Sequence, residues 1–119
     1  MANRILVATL ILGSLIVAAQ PAAAQRPYMW WASRVVNAPG VNTCLSIAET
    51  AMNGQGLYDV QRDAAGVAGV TEQSYAIITC VEGSNQRMTA VIMVASNDRA
   101  ESERVRDGLA DRIVRIRGW

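Results

Sequence analysis

The sequence predicts an α+β fold: a two-layer sandwich in which one antiparallel sheet of about four to five strands carries two helices on one face. Three observations support this prediction. Two segments have a helical apolar period, several short segments between turn signals are rich in strand-forming residues, and the elements follow the order β-α-β-β-β-β-α. Because most of the strands follow one another directly along the chain, an antiparallel meander is favoured over parallel pairing.

Residues 1–24 have the three-part pattern of a secretory signal peptide. Arg4 supplies a positive charge, residues 5–19 are an unbroken run of apolar and small side chains, and three alanines end at Ala24. As a helix this run reaches roughly 22 Å, which is short of the ~30 Å hydrocarbon core. We therefore expect cleavage after Ala24, a single small domain over 25–119, a periplasmic or secreted location and no stable membrane insertion. An uncleaved membrane anchor is the alternative.

An aromatic segment opens the predicted domain. Residues 25–33 are interpreted as an irregular N-terminal arm, and residues 30–38 are predicted to form a short strand. Pro39 and Gly40 end that strand because proline and glycine together break regular structure.

The segment from 41 to 53 is predicted to be an amphipathic helix. Its apolar side chains fall within one arc at about 100° per residue, and its polar side chains fall on the opposite side. Asn53 and Gly54 are residue types that end a helix in the left-handed conformation, and Gly56 continues the turn. The apolar arc contains Val41, Cys44, Leu45, Ile47, Ala48, Ala51 and Met52.

Four strands and a second helix are predicted after this turn. The strands are expected at 57–62, 67–72, 75–82 and 87–96, and the last two are long and rich in β-branched residues. A helix of roughly eighteen residues follows Asp98. Asp98 and Glu101 form an acidic variant of the capping box, and the apolar arc of the helix contains Val105, Leu109, Ile113 and Ile116.

Cys44 and Cys80 are the two cysteines of the chain. Thiols of exported proteins tend to be oxidised, so we expect one disulfide between them. The pair lacks the C-x-x-C spacing of redox-active sites, which favours a structural bond. Such a bond would place the strand face that carries Ala76, Ile78 and Cys80 under the first helix, because side chains alternate between faces.

The other face of the 75–82 strand is apolar where a solvated face would be polar. One alternate set of the next strand shares this face, either Thr89, Val91, Met93 and Ala95 or Met88, Ala90, Ile92 and Val94. The aromatic arm, a second copy of the chain or another protein is expected to cover these side chains, since monomers rarely expose large apolar patches. The candidate interface residues are Trp30, Trp31, Tyr75, Ile77, Thr79 and Val81.

The composition excludes several function classes. The chain has no histidine and no lysine, which excludes histidine-based nucleophile pairs, histidine metal ligands and lysine Schiff bases. Without Arg4 the charges balance, with 11 − 1 = 10 arginines against 10 acids, and this disfavours nucleic acid as a partner. We expect no cofactor and no metal. The carboxylates of the last helix, at Glu103, Asp107 and Asp111, alternate with arginines and are expected to form a solvated salt-bridge face.

These observations favour an exported, non-enzymatic domain that acts by protein binding or by self-association, in an accessory, inhibitor or envelope-associated role. Two alternatives remain. A small hydrolase using paired carboxylates would need two acids that converge in a pocket. A carrier of apolar ligands would need an enclosed cavity between the sheet and the helices.

Overall fold

The computed structural model describes residues 26–85 and 87–116, so the predicted signal peptide lies outside the described residues. One five-stranded antiparallel sheet and two helices follow one another in the order β-α-β-β-β-β-α, which confirms the predicted α+β class. The strands are β1 (Tyr28–Val36), β2 (Tyr58–Arg62), β3 (Gly66–Val70), β4 (Ser74–Glu82) and β5 (Met88–Ser96), and the helices are α1 (Val41–Gly54) and α2 (Arg99–Arg115).

The sheet has the strand order β1-β5-β4-β3-β2, so β2 to β5 form the expected meander and β1 lies at the far edge. β1 pairs with β5 along its whole length, from Tyr28 opposite Ser96 to Val36 opposite Met88. The prediction of an irregular arm over 25–33 is therefore wrong from Tyr28 onward. The backbone N–H and C=O groups of β5 need partners on both sides, and the segment satisfies this need by extending the sheet.

Helix α1 buries the predicted apolar arc, except that Val41 is only half-buried. Its end differs from the prediction. Gly54 is still helical, and the backbone N–H of Gln55 donates to the carbonyl oxygen of Ala51. The left-handed residue is Gly56, with φ of 85°, a conformation that glycine adopts without steric cost.

Helix α2 begins at the predicted cap, but only half of the capping box forms. The Asp98 carboxylate accepts a hydrogen bond from the Ala100 backbone N–H at 3.0 Å. The Asp98 N–H donates to the Ser96 hydroxyl at 3.1 Å, and Glu101 binds Arg104 instead of reaching back. A serine on β5 therefore supplies the acceptor that the sequence pattern assigned to Glu101.

The core lies between the sheet and the two helices. Cys44 of α1 is bonded to Cys80 of β4, with their Cα atoms 6.2 Å apart, and both side chains are buried. This confirms the predicted pairing, and it indicates an oxidising, extracellular-type environment. On β5 the set that faces the helices is Met88, Ala90, Ile92 and Val94. Neither of the helices that the structure describes has the length and apolar character to cross a bilayer.

Candidate protein-binding surface

The sheet face turned away from the helices carries no charged side chain at its paired, described strand positions; Asp59 lies in the register irregularity of β2 and is not assigned to a face by pairing. Directly paired residues share a face, so the register defines the whole set. We call this set the open face. It consists of Met29, Trp31, Ser33 and Val35 on β1, Thr89, Val91, Met93 and Ala95 on β5, Tyr75, Ile77, Thr79 and Val81 on β4, Gly66, Ala68 and Val70 on β3, and Tyr58 and Gln61 on β2.

Most of the exposed apolar side chains of the described chain lie on the open face. Trp31 is 68% exposed and Met29 is 61% exposed, at the edge that β1 forms. Of the nine large hydrophobic side chains exposed in residues 26–85 and 87–116, seven belong to the open face, and the other two are Tyr28 and Val114. Solvent-exposed apolar groups are therefore concentrated on one side of the molecule.

A groove crosses the open face beside the β2–β3 hairpin. It has a volume of about 370 Å³, and its lining includes the small residues Gly66 and Ala68 and the larger Ile77. Gly66 cannot be replaced without a shift, because a Cβ atom there would lie 2.7 Å from the backbone oxygen of Ile78. The groove exists because β3 carries little side-chain volume between two strands that carry more.

The hairpin at the rim of the groove is fixed by Asp63. Its carboxylate oxygen Oδ1 accepts hydrogen bonds from the backbone N–H groups of Ala65 at 2.7 Å and Gly66 at 2.9 Å. These two bonds stabilise the ionised form and lower the pKa of Asp63 below its ordinary value. The β2–β3 turn therefore fixes the negative charge of the Asp63 carboxylate at the rim of the groove, at the edge of the open face.

Five of the six predicted interface residues come together on the open face, namely Trp31, Tyr75, Ile77, Thr79 and Val81. The sixth, Trp30, lies on the helix side of β1. Its ring packs under Arg99 and Arg106 of α2, whose guanidinium carbons lie 5.5 Å and 5.2 Å from the ring centroid. This geometry is that of a cation–π contact. Trp30 therefore joins α2 to the sheet, while its neighbour Trp31 points away.

Sequence reasoning missed the open-face residues on β1 other than Trp31 and those on β2 and β3. The signal on β1 was the alternation of Met29, Trp31, Ser33 and Val35 with the residues between them. On β3 the short side chains of Gly66 and Ala68 gave no apolar pattern that could mark a face. The arm cannot cover the open face, because its described part is a strand of the same sheet.

The carboxylates of α2 form exposed ion pairs with arginines, as the sequence predicted for Glu103, Asp107 and Asp111. Arg115 approaches Asp111 to 2.9 Å, and Arg106 approaches Asp107 to 2.9 Å. Arg99 lies 3.4 Å from Glu103, and a further pair joins Arg104 to Glu101 at 2.7 Å. The exposed pairs contribute little to stability because water screens them, whereas the Glu101 side chain is only 17% exposed.

Three surface grooves bear on the two alternative functions. Each is lined by one carboxylate, which is Asp63 in the first, Asp111 in the second and Glu72 in the third. A hydrolase of the type considered above needs two acids at one site, so none of these grooves supports it. None is enclosed between the sheet and the helices, as a carrier would require. Within 26–85 and 87–116, no three His, Cys, Asp or Glu side chains form a group that could hold a metal ion.

The sequence matches no protein-family model, and no curated protein matches it closely enough to count as a relative.

Proposed function

We propose that this chain is a small exported domain without catalytic activity, which acts by binding protein through its open face. The observation that supports this proposal most strongly is the extent of uncharged, apolar side chains on one exposed sheet face. The face of an antiparallel sheet that meets water normally carries polar residues at alternate positions. Monomeric proteins rarely expose contiguous apolar patches above a few hundred Å².

The residue types of the open face match those of protein interfaces. Trp31, Tyr75, Met29 and Met93 belong to the types enriched at interface centres, where Lys, Glu and Asp are depleted. Tryptophan and tyrosine supply much of the binding energy in such contacts because each buries a large, rigid surface. The absence of charge on this face disfavours phosphate-bearing partners, which are held by arginine and lysine.

Two features support a periplasmic or secreted location. The buried Cys44–Cys80 bond persists best outside the reducing cytoplasm. The pattern of residues 1–24 is that of a cleavable signal peptide. An accessory, inhibitor or envelope-associated role fits both features, because each of these works through protein contacts.

A photocrosslinking experiment tests the proposal in the cells that produce the protein. One variant carries a photoreactive phenylalanine derivative in place of Trp31, on the open face. A matched control carries the same derivative in place of Val114, which is 51% exposed and lies on α2, away from the open face. We expect adducts of discrete mass from position 31 and few from position 114. Equal labelling at both positions, or no protein adduct at position 31, would contradict the proposal.

The location is tested on the same cells by mass spectrometry of the natural product. We expect Gln25 as the first residue and both cysteines protected from alkylation until a reductant is added. Retention of Met1 would contradict cleavage of the signal peptide, and free thiols in the untreated protein would contradict an oxidising location outside the cytoplasm.

A further inference from the structure

We infer that the occupant of the open face is a second copy of this chain, packed face to face as a symmetric dimer. This inference rests on the proposed function, because it names the partner of the same surface. Closed two-fold dimers are the commonest assemblies of identical chains, and each copy then uses the same patch. A surface that serves this purpose must complement itself.

The strand register arranges the open face in rows that run across the sheet. One row contains Trp31 of β1, Met93 of β5, Ile77 of β4 and Ala68 of β3, each directly paired with the next. A two-fold axis parallel to the strands, between β4 and β5, keeps each row at its own height and reverses its direction. In such a dimer β5 lies over the partner's β4, and β1 lies over the partner's β3.

This arrangement places two of the largest side chains of the face, Trp31 and Tyr75, opposite small ones. Trp31, the most exposed large side chain of the face, lies over the partner's Ala68, at the floor of the groove beside Gly66. In the row above, Tyr75 of β4 lies over the partner's Ala95. The two-fold axis repeats both contacts, so each protomer inserts one indole into the other's groove. The groove of each protomer is then the binding site for the Trp31 indole of the other.

The twist of real sheets does not remove this complementarity. Aligned sheets in a sandwich cross at about 30°. Because β1 lies about 7 Å from the two-fold axis, this crossing shifts β1 by about 4 Å along the partner's β3. That displacement is about one residue along a strand, so Trp31 stays within one residue of the partner's Ala68.

The size of the open face meets the lower limit for a specific dimer. Three strands contribute about 23 Å of length each and β3 contributes about 17 Å, and at a spacing of about 4.8 Å they project on the order of 400 Å². Side chains that stand off the sheet expose more area than this projection. Two faces together project on the order of 800 Å², and the side chains raise the buried area to about 1,000 Å², which is the lower limit for a biological interface.

Electrostatics do not oppose the pairing. The paired strand positions of the open face carry no charged side chain, so no like charges meet there across the axis. The charged residues that line the groove, Arg62 and Asp63, lie at its hairpin end. The formal net charge of the chain is only +1, so two copies repel each other weakly.

Sedimentation of the exported product of the full chain, with its natural N terminus, tests the inference through three variants. Trp31→Ala removes the indole, and Ala68→Trp fills the groove that receives it. The double variant, Trp31→Ala with Ala68→Trp, exchanges the large and the small residue and restores the match. We expect a dimer for the unmodified protein at about 10 μM and a dissociation constant raised on the order of 1,000-fold in each single variant, since two hot spots are lost per dimer. The double variant should recover at least about tenfold of this loss.

Val114→Ala is the matched control, because it removes a similarly exposed apolar side chain outside the open face, and it should leave the dissociation constant unchanged. Unfolding by urea shows whether each variant is folded. An unmodified protein that is monomeric at about 100 μM would overturn the inference. A dimer unaffected by both single variants would also overturn it, and would indicate another contact such as pairing of the free β1 edges. A monomer that still crosslinks a different protein through position 31 refutes the second copy but leaves the proposed function standing.

Discussion

Reduction of the Cys44–Cys80 bond should cost this domain a large part of its stability. The bond joins residues separated by 36 positions, and it ties α1 to the central strand β4. In the chain-entropy model, closing a loop of this length removes freedom from the unfolded chain and stabilises the fold by about 4 kcal/mol. Domains are typically stable by about 5–15 kcal/mol, so the reduced protein should be marginal.

Urea unfolding with and without a phosphine reductant measures this effect. The free energy of unfolding should fall by about 4 kcal/mol on reduction, and the denaturant slope should rise because the reduced unfolded chain exposes more surface. The matched control is the double variant Cys44→Ala with Cys80→Ala, whose unfolding should be the same in both solutions.

A small effect of the reductant would refute this reasoning. If alkylation shows that both thiols are free after reduction and the free energy of unfolding changes by less than about 1 kcal/mol, the loop-closure argument fails for this fold. The bond would then be a consequence of the compartment and not a main source of stability.

Two further predictions concern single residues. The pKa of Asp63 is lower in the folded protein than in the unfolded chain. The ionised carboxylate therefore stabilises the fold at any pH above its pKa in the unfolded chain. This contribution is lost in acid, below about pH 4, as the pH falls through its pKa in the folded protein. Asp63→Asn should therefore flatten the pH dependence of unfolding in that acid range, and an unchanged slope would contradict this. Gly69→Val should destabilise the core by about 1–3 kcal/mol, because a Cβ atom added at Gly69 would lie 3.0 Å from the Met52 sulfur and 3.2 Å from Leu57. Gly69→Ala should cost less, and equal urea midpoints for the two variants would show that the site is not tightly packed.

The elements that could be predicted are those whose signal is local. The apolar arc of α1 and the Asp98 cap depend on spacings within one segment, and the structure confirms both. The Cys44–Cys80 pair added one long-range constraint, which identified the buried face of β4 before any strand pairing was known. Because side chains alternate along a strand, this also placed Tyr75, Ile77, Thr79 and Val81 on the opposite face of β4, where their apolar character pointed to an interface.

The features that could not be predicted depend on pairing between distant segments. The sequence does not show that residues 28–36 add to β5 at the sheet edge, and this pairing decides which of two adjacent tryptophans faces the helices. Trp30 and Trp31 have the same chemistry, so only the register separates a cation–π contact with α2 from a surface contact. The groove likewise results from placing Gly66 and Ala68 beside β4, which is a property of the assembled sheet.

The fluorescence of Trp31 as a function of protein concentration tests the central claim most directly. Replacing Trp30 and Trp119 with phenylalanine leaves Trp31 as the one indole of the chain. If a second copy covers the open face, raising the concentration from about 0.1 to about 100 μM should shift the emission of Trp31 to the blue and reduce its quenching by acrylamide. If Trp31 keeps the emission of a hydrated indole and stays fully accessible to acrylamide across this range, the account is contradicted.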